Sequence, residues 1–231
     1  MNTPRKALFS VFIVVLSLLS AHSSRGMEKS RFELSATAGF NRSRLVPDNM
    51  VTNFGPFDQP AARFSGGINA LYRLGAGWGI RTGLHYSLAG AQTGPQVGTD
   101  ETGHEKGQFW FSRRLQFVEV PVHIVYRFDA GKIRPSLYFG PNIGFLFKAR
   151  ETLESDYGEE KYETDIKSKL NPVNLSAELG FGMSYRLNGR WALGISSSYL
   201  HGLTNQIKAR TEGEQKTRDL RLLGSLIYVM Q

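Results

Sequence analysis

The feature that most constrains this chain is a period of two that returns eight times. Phe32, Leu34, Ala36, Ala38 and Phe40 fall on one face of an extended segment, and Glu33, Ser35 and Thr37 on the other. The same alternation sets Phe64, Ile68, Ala70, Tyr72 and Leu74 against Arg63, Ser65, Asn69 and Arg73, and then Trp78, Ile80, Leu84, Tyr86 and Leu88 against Arg81, His85 and Ser87. Val118, Val120, Val122, Ile124, Tyr126 and Phe128 oppose Phe117, Glu119, Pro121, His123 and Arg127. Ile133, Leu137, Phe139, Ile143, Phe145 and Phe147 oppose Arg134, Ser136, Asn142 and Lys148. Three more segments follow the rule, 173–186, 191–199 and 219–230. Alternation of this kind makes strands with one apolar and one polar face. At about 10–15 residues each they are long beside the five or six typical of soluble sheets.

The connections alternate as well. Tight turns built on Gly75, Gly77, Gly131 and Gly189 follow the second, fourth and sixth segments. Polar stretches of roughly 13–22 residues follow the others, the pattern of a transmembrane barrel. The predicted fold is all-β: an eight-stranded antiparallel up-and-down transmembrane β-barrel with short periplasmic turns and long extracellular loops. A soluble barrel would direct its apolar face inward. The charges favour the opposite arrangement, because Arg81, Glu119, Arg127, Glu178 and Arg186 share the polar face. An Arg or Lys facing lipid at the bilayer midplane costs about 2–4 kcal/mol, whereas inside a narrow cylinder such groups pair. Arg114 and Arg218 fall on the apolar register, but about 30 Å up the barrel from the turn end, beyond its apolar band of about 25 Å.

This geometry explains a heptapeptide that occurs three times, YRLGAGW at 72–78, YRFDAGK at 126–132 and YRLNGRW at 185–191. Tyr72, Trp78, Tyr126, Tyr185, Trp191 and Tyr228 are predicted to form an aromatic girdle at the periplasmic interface. The arginine after each tyrosine points into the lumen mouth, and glycine supplies the positive φ of the turn. The repeat marks a boundary and is not a binding motif.

The N-terminus has the form of a secretory signal. Arg5 and Lys6 precede an apolar run from Ala7 to Ser20, and Ala21-His22-Ser23 offers a cleavage site. About 14 residues of helix reach only ~21 Å, short of a membrane span. The expected domains are a signal peptide at 1–23 and a barrel at 24–231. Cysteine is absent, which removes disulfides, thiolate metal sites and a lipoprotein anchor. The net charge of +8 is dispersed along the chain, so nucleic acid is not expected as a partner.

The segments LQFVEVPVHIVYRF (115–128) and PSLYFGPNIGFLF (135–147) resemble the PorT-type outer-membrane β-barrel family of Gram-negative bacteria. GINALYRLGAGWGIRTGLHYSLAGAQ and SYLHGLTNQ are similar to further strands of that family. The resemblance implies a porin-like outer-membrane protein, and one branch of the family assists a protein-secretion machinery. The chain departs from it by ending Val229-Met230-Gln231 rather than on an aromatic, which passes the insertion signal to Tyr228. Pro121 and Pro141, inside strands, predict a bulge or bend between the fourth and fifth strands.

Arg81, Glu119, His123, Arg127, Glu178 and Arg186 are expected to form an ion-pair network that plugs a polar lumen. The same groups, with His85, could suggest proton transfer, and His85, Ser87 and His201 near the outer rim could suggest a lipid-acting enzyme. No nucleophile motif accompanies them, so no catalytic residue is assigned. The carboxylates of 150–169 lack the spacing of a Ca²⁺ loop and read as a solvated surface loop, and LGFGMS and FGPNIG lie on strands, where they make no nucleotide site. No metal or cofactor is expected. The reading is a monomeric barrel with both termini in the periplasm, a structural or interaction role through its loops, and outer-membrane lipid, lipopolysaccharide and other envelope proteins as partners. The alternatives are an accessory barrel of a secretion system, a small-solute porin, and a lipid-acting enzyme.

Overall fold

The computed structural model describes residues 31–48, 59–99, 105–128, 131–156, 161–208 and 214–230. The expected signal peptide at 1–23 lies outside them. Ten strands are present: β1 (Phe32–Asp48), β2 (Gln59–Gly75), β3 (Trp78–Gln92), β4 (Gln96–Thr99), β5 (Glu105–Arg127), β6 (Ile133–Ser155), β7 (Lys161–Asp165), β8 (Val173–Arg186), β9 (Trp191–Gly202) and β10 (Glu214–Met230). A 3-10 turn at Lys167–Lys169 precedes β8. Eight strands pair in the order β5-β3-β2-β1-β10-β9-β8-β6, and pairing of β5 with β6 closes the ring. All of its ladders are antiparallel, from β1 on β10 to β8 on β9. Closure leaves the ring no free edge.

The apolar face points outward. Phe40 is 70% exposed, Ile68 64% and Leu179 63%, whereas Arg221 is 1% exposed and His123 2%. In water such a belt of aliphatic and aromatic side chains would be a large unpaired patch; in hydrocarbon it is the solvated surface. At the turn end, Trp78 pairs with Tyr126 and Trp191 with Tyr228 in register, with ring centroids 4.8 and 5.0 Å apart. Tyr72 and Tyr185 stand at the same level, opposite Phe32 and Ile133.

Three local expectations change. Among the described residues the connections after β3 and β6 are largely strand: β5 and β6 each run 23 residues, and β4 and β7 pair alongside them as an extension of the sheet. Backbone pairing outlasts the apolar alternation because each antiparallel step satisfies two polar groups whatever the side chains are. The prolines do not make the bulge. Pro121 pairs with Asn142 and Ile124 with Phe139, so register is kept across an unpaired stretch at Gly140 and Pro141. The bulge lies instead at Gln116/Phe117, where Phe147 is the extra residue. It places both Leu146 and Ala149 inside, and sets Lys148 on the outward register rather than the polar face predicted for it.

The turns also differ from one another. Gly75, Ala76 and Gly77 all have positive φ, and Gly131 has φ 70°. Gly189 does not; there Asn188 Oδ1 accepts from the amides of Arg190 and Trp191, both at 2.8 Å, an Asx turn that does the same work.

Candidate functional site: the packed lumen

Three layers of side chains fill the barrel from the turn end upward. In the first, Glu33 of β1 receives Arg127 of β5 in a bidentate pair, 2.8 Å on each oxygen, and Arg73 of β2 joins it. The arginines of the first two YR heptapeptides therefore converge on one carboxylate. The third, Arg186, does not. It is exposed at the end of β8 and makes no ion pair among the described residues, so it stands outside the network expected of it.

The middle layer holds two linked pairs. Arg221 of β10 donates to both oxygens of Glu119 at 2.7 Å, and to Ser87 Oγ at 3.2 Å. Asn142 Nδ2 bridges Glu119 (2.9 Å) to Glu178 (3.3 Å). Glu178 in turn faces His123 Nε2 at 3.2 Å, and the other ring nitrogen of His123 lies 2.8 Å from Arg81. The Arg81 guanidinium sits 3.8 Å from the Tyr138 ring centre, and that ring stacks on His123. A Cβ on Gly180 would collide with Tyr138, so glycine here makes room for the ring. Bidentate, charge-assisted contacts are the strong ones, and water-poor surroundings strengthen them further.

Arg81, Glu119, His123, Arg127 and Glu178 thus lie on the lumen wall as the alternation predicts, though Arg127 belongs to the Glu33 layer. Glu33, Asn142 and Arg221 complete the layers and were not singled out from sequence. All three sat on the polar register; what the sequence did not show was which strands the closed ring would bring face to face.

The third layer is apolar, contrary to the expectation of a polar lumen throughout. Leu45, Ala89, Ala91, Leu115, Phe117, Leu146 and Ala149 meet inside the upper barrel. Ile166, Leu170 and Ile207, from the connections after β7 and β9, drop onto them. Backbone bonds hold this lid: Ile166 N to Ala149 O at 3.2 Å, Asn171 N to Gln206 O at 2.7 Å, and a bridge between Leu170 and Ile207.

The rim candidates do not come together. His85 and Ser87 are buried inside, with His85 Nε2 2.8 Å from Asn69 Oδ1, whereas His201 lies on the outward register beside Tyr199. In the carboxylate-rich segment Glu151 pairs with Arg113 of β5, and Glu154 with Lys161 and Glu163 with Arg150 across the β6–β7 ladder. Among the described residues no group of three or more potential metal ligands gathers.

One family and several solved structures are similar to this chain. No curated protein matches the chain. Among solved structures it is similar to the Neisserial surface protein A (15% identity, 88% of this chain and 99% of that one, TM-score 0.47). It is also similar to Ail, the attachment invasion locus protein of Yersinia pestis (12%, 88% and 100%, 0.40), and to the outer membrane protease OmpT of Escherichia coli (8%, 90% and 99%, 0.48). The outer membrane protein beta-barrel domain matches residues 20–208. The chain belongs to that family of bacterial outer-membrane barrels.

Proposed function

We propose that this barrel is a closed membrane anchor whose working part is the sheet carried beyond the apolar belt. The observation that carries this reading is the packed lumen: two ionic layers and an apolar stopper leave the interior to side chains, so transport is not what the cylinder is built for. The sheet β4-β5-β6-β7 meanwhile projects past Arg114, which stands on the outward register of β5 above its apolar belt, and offers a polar surface for contact with other envelope or extracellular molecules. Short turns then face the periplasm together with both termini, and the barrel works as a monomer.

The test has two arms. Planar-bilayer recordings of the refolded protein should show no stable conductance steps; reproducible steps would favour a porin. Replacing residues 96–110 and 151–165 by short turns should leave a barrel that still resists SDS until boiled, yet remove the cell-surface phenotype of a deletion strain's complementation. Full complementation by the trimmed barrel would overturn the proposal.

A second reading draws on the PorT-type resemblance of 115–128 and 135–147, the motifs around Pro121 and Pro141. On that reading the barrel is an accessory of a secretion system, and it should co-purify with large envelope proteins after mild cross-linking.

A further inference from the structure

Beyond the apolar belt, on the lipid-facing side, β1 and β10 place like charges directly opposite each other. Arg44 is the register partner of Arg218, and Arg218 is in turn the partner of His201 on β9. Arg42 lies one outward position below, opposite Leu220, the last apolar residue of the β10 belt. Like charges in facing positions destabilise a sheet. Several other arginines do meet carboxylates: Glu33, Glu119, Glu151 and Glu163 each hold at least one. At Arg42, Arg44 and Arg218 no carboxylate lies within ion-pair distance among the described residues, and Arg218 Nε is covered without a hydrogen-bond partner. Arg42 and Arg44 are exposed.

The height of the cluster identifies the missing anion. Four outward positions lie between Arg42 and Phe32 on β1 and between Arg218 and Tyr228 on β10, and the five steps they make, at about 5 Å of climb each on a tilted strand, span the hydrocarbon layer. The arginines therefore stand at the headgroup level of the outer leaflet, their stems over apolar surface and their guanidinium groups in the polar zone. Planar forks at this spacing suit a phosphate oxyanion, which can accept from several N–H groups at once.

We propose that Arg42, Arg44 and Arg218, with His201 beside them, form a binding site for the phosphate of an outer-leaflet phosphoglycolipid. The shared chemistry is a phosphate monoester, and the lipid rather than free phosphate is the source, because the site opens onto the hydrocarbon belt. This goes beyond the anchoring role and stands or falls separately from it.

The experiment titrates the full refolded chain in detergent micelles with bisphosphorylated lipid A, its dephosphorylated form, and inorganic phosphate, following bound lipid by native mass spectrometry. The phosphorylated lipid should be preferred by about 10-fold or more, and Arg44→Gln/Arg218→Gln should lose that preference. Arg114→Gln, at the same level on β5, should keep it. Heat-modifiability on gels shows whether each variant is folded, and the comparison of the three ligands on the unaltered chain stands even if the double variant is not. Equal binding of both lipids, an unchanged double variant, a loss with Arg114→Gln as large as with the double, or inorganic phosphate competing at the lipid's own affinity would each overturn the site.

Discussion

Glu119 and Arg221 are the residue pair on which the middle of the lumen turns. Arg221 is almost wholly buried, donates twice to Glu119, and has its next carboxylate, Asp219, 4.0 Å away. Removing one partner of such a pair strands the other charge, at a cost of about 3–5 kcal/mol, while replacing both by apolar groups of similar volume is close to neutral. Glu119→Leu should therefore lower the urea midpoint of the barrel in lipid vesicles sharply, and Glu119→Leu/Arg221→Met should recover most of the loss. If the single variant unfolds at the same urea concentration as the parent, the ion pair is not what holds this layer. Gly180 makes a second case: Gly180→Val pushes into the Tyr138 ring that lies on His123 and Arg81, and overpacking of this kind costs about 1–3 kcal/mol. The same unfolding measurement, with tyrosine fluorescence as the probe, checks it.

At the scale of the strand, alternation carried most of the information, and its failures are instructive. Every outward position expected on β1, β2, β3, β8, β9 and β10 lies outward, because a one-residue slip would turn charges into the lipid. Arg114 and Arg218 stand beyond the belt, where their distance from the turns put them. Lys148 was misplaced because strict counting cannot see Phe147, an extra residue set by how two neighbours pair and not by the segment's own pattern. Deleting Phe147 should consequently be tolerated: it makes the ladder regular while keeping Leu146 and Ala149 inward, and the product should remain heat-modifiable. Deleting Leu115, in an unbulged stretch, should not be tolerated, since it reverses the faces of everything above it. The apolar stopper was illegible for another reason. Ile166, Leu170 and Ile207 sit in polar connections where no period marks them, and only the closed ring gives them a cavity to fill.

For the molecule as a whole, the lid and the ring make separable contributions. Ile166→Ser/Leu170→Ser/Ile207→Ser removes apolar contacts from the stopper without touching a barrel ladder. The lid connections should then be cut faster by added protease on intact cells, while the SDS-resistant band persists; loss of that band would mean that the lid is part of the barrel's own stability. The ring depends on one seam, the 17-rung ladder that joins β1 to β10. Until β10 arrives, the edge of β1 exposes a row of unmatched amides and carbonyls that hydrocarbon cannot solvate. Translocation order thus becomes a constraint on assembly: the polypeptide has to be delivered through β10 before the cylinder can enter the bilayer stably, and some escort must shield that waiting edge in the meantime.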